Sequence, residues 1–210
     1  MDRKHDLYVM ISRTDTGMGK IIRYFTDYPY NHVSLSLDPN LNEWVSFARY
    51  VRDVPLAGGF VRENADRFFA SGGSIHVRIY RLEISEIRFR ILRNVFAQAG
   101  KPDCGLIYNS FGALASGLNM QFPVSGAYTC LEFANAVLEQ SHCTIRQLAD
   151  WLEPHLIYEG ELMELISGSG EWAGDYFAPR SHTAAVRETA LHFARLLRRT
   201  VSPGRFDPAI

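Results

Sequence analysis

The chain has 210 residues, 47% hydrophobic and 21% charged, a balance ordinary for a globular domain with a sizeable core. A formal net charge of −1 removes any general attraction to nucleic acid, and no run reaches the ~18 apolar residues of a membrane-spanning helix. The first apolar run, residues 7–11, is too short for the core of an export signal, so a cytoplasmic location is expected, with the three cysteines as free thiols.

In chain order, residues 7–12 read as a first strand and 17–27 as a short helix that Pro29 brings to an end. Residues 32–37 alternate strictly, with Val33, Leu35 and Leu37 on one side and His32, Ser34 and Ser36 on the other. That is the pattern of a half-buried strand. Turn residues at 38–42 lead to residues 44–49, the expected antiparallel partner. Residues 55–73 read as an irregular, glycine-bearing loop with a short helix around Arg67, and 75–82 as another strand. Ser85 is an expected N-cap for a helix to Ala99, stopped by Gly100 and Pro102. Helices are expected at 108–118, 130–140 and 144–152, and a last strand at 156–158.

The most informative stretch is 128–138, YTCLEFANAVL. Thr129 and Glu132 have capping-box spacing, which sets Cys130 at the first helical position. Phe133, Ala134, Val137 and Leu138 follow on the same stripe, so the thiol starts the face that packs on the core. A free thiol titrates near 8.5, and helix N-termini or an adjacent imidazolium bring such groups to ~3.5–7.5. Unpaired N–H groups there could also hold an oxyanion. Cys104 and Cys143 lack this setting and are expected to be structural.

Among seven histidines, His32 is the best candidate base, because it opens a strand straight after a turn and shares a polar face with Ser34 and Ser36. Its second ring nitrogen needs an orienting partner. Ser46 is the first choice and Glu43 the alternative, and the Tyr128 hydroxyl is a candidate oxyanion donor. Cys130, His142 and Cys143 lack paired short ligand spacings, so no metal is expected. Residues 16–20 lack the spacer and trailing hydroxyl of a P-loop, and no cofactor is expected.

Residues 31–36 (NHVSLS) and 128–133 (YTCLEF) resemble the histidine strand and cysteine helix of the circularly permuted, NlpC-type branch of the papain-like cysteine hydrolases, YiiX/YaeF-like proteins included. In that branch, as here, the histidine precedes the cysteine. The resemblance runs from about residue 7 to 161. It implies a permuted papain-like α+β fold, an antiparallel sheet packed against helices, and a cysteine hydrolase or acyltransferase that cleaves an amide, ester or thioester through an acyl-enzyme. The substrate expected from it is a small molecule, a peptide or a lipid acyl group. The alternative is a catalytically degenerate binding module, which the weakness of Ser46 as an orienting group favours.

Residues 1–167 are expected to form this domain, 168–181 a linker, and 182–210 an amphipathic helix and tail. Val186, Ala190, Phe193 and Leu197 would form its apolar face. Arg195, Arg198 and Arg199 complement the helix's own C-terminal dipole, and membrane attachment through them is the less favoured reading.

Overall fold

The computed structural model describes residues 3–14, 23–24, 26–52, 54, 56–69, 75–101, 103–116, 120–166 and 174–201. It is an α+β protein built on a six-stranded antiparallel sheet. The strands are β1 (Lys4–Ser12), β2 (His32–Ser36), β3 (Trp44–Arg49), β4 (Gly58–Glu63), β5 (His76–Ser85) and, after the last of the central helices, β8 (Leu156–Glu161). Their order across the sheet is β4-β3-β2-β1-β5-β8. A separate parallel pair joins β6 (Ile107–Tyr108) to β7 (Ala127–Tyr128).

Side chains alternate across the strands and feed two apolar clusters. Leu7, Val9, Ile11, Val33, Leu35, Val45 and Phe47 belong to the larger one. It is closed by α2 (Glu86–Ala99), α4 (Cys130–Leu138) and α5 (Ile145–Leu152), through residues such as Leu92, Phe133 and Leu148. Each of these large side chains contributes about 1.5–3 kcal/mol by leaving water. Tyr8, Met10, Trp44, Val77 and Ile79 belong to the other cluster, which includes Ala65 and Phe68 of α1 (Ala65–Phe69).

The helix starts follow the local chemistry expected of them. Ser85 accepts the Arg88 N–H at 3.2 Å, and both Thr129 and Thr144 form complete capping boxes, with Glu132 and Gln147. The helix expected from 108 starts later, as α3 (Ser110–Ser116 among the described residues), because Ile107 and Tyr108 are drawn into the parallel pair with β7. The helix expected at 17–27 lies mostly outside the described residues, as do 168–173 of the expected linker.

The larger correction is at 58–63. These residues form a full strand, β4, paired with β3 from Trp44↔Glu63 to Arg49↔Gly58. Two glycines make the segment look like a loop, yet tight strand packing is what requires the first of them. A Cβ at Gly58 would lie 2.2 Å from the Ala48 carbonyl oxygen.

The last helix, α6 (His182–Val201), packs on the domain through a stripe one residue away from the expected one. His192 and Leu196 are its buried residues, whereas Val186, Phe193 and Leu197 are 62%, 40% and 41% exposed. Hydropathy picked the more apolar face; the packed one turns on a polar contact, the His192 ring at 2.9 Å from the Tyr108 carbonyl. Arg199 reaches the carbonyls of Gly105 and Gly126 on the domain. Among the described residues no helix is long and apolar enough to cross a membrane.

Candidate active site

His32 is fixed by the residue before it. Asn31 is buried; its backbone N–H donates to Ser12 at 3.0 Å, and its side chain accepts from Thr14 N–H at 2.8 Å and donates to Thr14 Oγ1 at 2.9 Å. This clamps the chain to the end of β1, and His32 pairs with Ser12 as the first residue of β2.

The imidazole is nearly buried, and its Nε2 lies 3.1 Å from both carboxylate oxygens of Glu63, the last residue of β4. The Ser34 hydroxyl donates to the same carboxylate at 2.6 Å, and Arg67 Nε stands 3.6 Å from it. The Cys130 thiol lines the same cavity as the imidazole and, by its proximity, helps to raise the pKa of that ring. Cys130 is the first residue of α4 and is partly buried.

Burial works against the imidazolium, but the Glu63 charge, the proximity of Cys130 and the hydrogen bond to Glu63 outweigh it and hold His32 well above its ordinary range. Glu63 shows the mirror effect. Burial alone would raise its carboxyl, while the His32 charge, that hydrogen bond, Arg67 and Ser34 hold it well below the usual carboxylate range.

The start of α4 is held by a second buried network. Glu132 accepts the Thr129 N–H at 2.7 Å, and the Asn109 side-chain amide donates to both of its oxygens at 3.1 Å. Asn109 also donates to Phe122 O at 2.7 Å and accepts from Gly112 N–H at 2.9 Å, so one side chain ties the start of α3 to the start of α4.

His32, Glu63, Cys130 and Tyr108 line one cavity of about 640 Å³, large enough for a small organic substrate. Burial, and after it the neighbouring Cys130, pushes the Tyr108 hydroxyl above its ordinary value, so it stays protonated and able to donate.

Of the residues singled out in the sequence, Cys130 and His32 are brought together and the others are not. Ser46 is fully buried with an unpartnered hydroxyl, and Glu43 pairs with Arg62 on the surface. The partner of the imidazole is Glu63, which neither choice anticipated because its strand was read as loop. A serine also extends one atom beyond Cβ, too short a reach to replace a carboxylate that spans strands. Tyr128 packs its ring against Phe47, with centroids 5.3 Å apart, and Tyr108, paired with it in the parallel ladder, faces the cavity instead. Cys104 donates to the Ala99 carbonyl at 3.2 Å, while Cys143 is exposed and also lines the cavity. No group of three or more potential metal ligands occurs among the described residues.

Comparison of the chain with protein-family models, with curated proteins and with solved structures returns no match.

Proposed function

We propose that the protein is a permuted papain-like cysteine hydrolase or acyltransferase, with Cys130 as nucleophile, His32 as its acid and base, and Glu63 orienting and charging the imidazole. The observation that carries this reading is the chain of contacts from Ser34 and Arg67 through Glu63 to His32, with Cys130, at a helix N-terminus, lining the same cavity as that imidazole. Glu63 favours the imidazolium, and so favours transfer of the thiol proton onto His32.

The sulfur attacks a carbonyl carbon. The tetrahedral adduct collapses, His32 gives its proton to the departing amine, alcohol or thiol, and a thioester remains on Cys130. Water or another acceptor then loses a proton to His32 as it displaces the sulfur, which frees the acid or transferred acyl product and restores the thiol. The N–H groups at the start of α4 and the Tyr108 hydroxyl are the donors available to the oxyanion. The ground for a degenerate binding module was a weak orienting residue, and Glu63 removes it.

The test is a pulse of p-nitrophenyl acetate followed by mass analysis. A transient acetyl adduct on Cys130 is expected, lost in Cys130→Ala and His32→Ala and retained in Cys104→Ala and Cys143→Ala. Equal acetylation of all three cysteines, or none, sinks the assignment.

A further inference from the structure

The cavity has a lining rich in cations. Among the described residues lining it are four arginines but only two carboxylates, and both carboxylates are already committed. Glu63 is matched by His32 and Arg67, and Glu132 by the Thr129 cap and Asn109.

Arg49, at the end of β3, and Arg52, three residues on, have no carboxylate partner among the described residues, yet the Arg49 guanidinium is held in place. Arg49 Nη1 donates to the Arg52 carbonyl at 3.0 Å, and its Nη2 to the Tyr176 hydroxyl at 3.3 Å. Arg52 donates its backbone N–H to Tyr176 O at 2.8 Å and lies 6.0 Å over the Phe177 ring. Arg67 stacks on Tyr176 at 4.1 Å and donates to the Arg49 carbonyl at 2.7 Å. A fixed Arg49 guanidinium with Arg52 beside it, neither with a carboxylate partner among the described residues, matches an oxyanion from outside the chain. Arg49, Arg52, Tyr108 and Cys130 all line this one cavity, so the arginines and the thiol face one chamber.

We infer that the acyl substrate carries an oxyanion, a carboxylate or phosphate, which Arg49 and Arg52 bind while its carbonyl lies against Cys130. This rests on the reading of Cys130 as a nucleophile and names the substrate class for that site.

Two alkylating reagents that differ only in charge test it. With either, the sulfur displaces iodide, forms one S–C bond and releases the thiol proton to the buffer. The rate ratio of iodoacetate to iodoacetamide at Cys130, read by residue-resolved mass analysis, is expected to exceed that of free glutathione by about 10-fold, the effect of one or two nearby cations in a partly desolvated site. Arg52→Ala, an exposed position, lowers the ratio, and Arg49→Ala with Arg52→Ala brings it close to that of glutathione. Arg49→Lys, which keeps the charge, retains most of it, and Arg90→Ala on α2 leaves it unchanged. Succinate and inorganic phosphate are expected to slow iodoacetamide at Cys130 in the parent but not in the double variant, the better protector identifying the oxyanion. A ratio equal to that of glutathione, or no protection by either anion, overturns this inference alone while Cys130 stays fast with iodoacetamide. A Cys130 no faster than glutathione with both reagents sinks the nucleophile reading itself.

Discussion

Replacing Glu63 with Gln probes the site through the pH dependence of stability. Contacts of 3.1 Å put the two charge centres roughly 4 Å apart, worth about 4 kcal/mol at an effective dielectric near 20. Removing one partner of a buried pair costs about 3–5 kcal/mol, of which the glutamine amide recovers about 1 kcal/mol through hydrogen bonds to His32 and Ser34. The net loss is therefore ~2–4 kcal/mol, or a Tm lower by roughly 4–16 °C for a chain of this length.

The sign of the pH effect follows from the two titrations. Glu63 is lowered from 4.5 to about 2, so its contribution is present above pH 4.5 and fades as pH falls toward 2. His32 is raised from 6.5 to about 10, so its contribution is complete below pH 6.5 and fades as pH rises toward 10. The gap between parent and variant is accordingly widest between pH 4.5 and 6.5 and narrows on both sides. Urea denaturation at intervals across the range measures it. A variant as stable as the parent at pH 5.5, or a gap that stays constant past pH 10, refutes the charged pair.

Five further substitutions check the scaffold around the site. Gly58→Ala drives a methyl into the Ala48 carbonyl and is expected to cost more than ~2 kcal/mol, whereas Gly59→Ala meets only the Tyr50 hydroxyl, on a side chain 48% exposed and free to swing, and should cost well under that; thermal melts compare the two. Thr129→Ala removes the acceptor for the Glu132 N–H and is expected to lower stability by about 1 kcal/mol and to slow Cys130 alkylation, since the helix start that presents the thiol frays. Leu196→Ala is expected to cost ~2–4 kcal/mol and Leu197→Ala under about 1 kcal/mol, by denaturant midpoints; the reverse order would restore the helix face expected from hydropathy.

Local rules written over a few residues were the legible part of this fold. The alternation after Asn31 and the Thr129–Glu132 spacing marked a strand start and a helix start, and these deliver His32 and Cys130 to the same place. Glu63 was hidden because strand β4 begins with two glycines, and glycine there answers to the closeness of β3, a contact no local pattern encodes. Tyr108 was hidden for a related reason. Its strand is two residues long and exists only by pairing with β7, so the sequence reads as the start of α3. The arginine wall combines the end of β3, a following turn and a segment more than a hundred positions later, and no spacing rule connects them.

The position of β4 at the rim of the sheet has a consequence for how the protein wears out under stress. A rim strand is held by one ladder, so it can peel away at a fraction of the cost of global unfolding. Peeling would carry off the carboxylate that charges the imidazole, while β1, β2 and α4 keep their places. Mild heating would then silence the thiol before the far-ultraviolet dichroism changes, and amide protons of β4 would exchange with solvent sooner than those of β1.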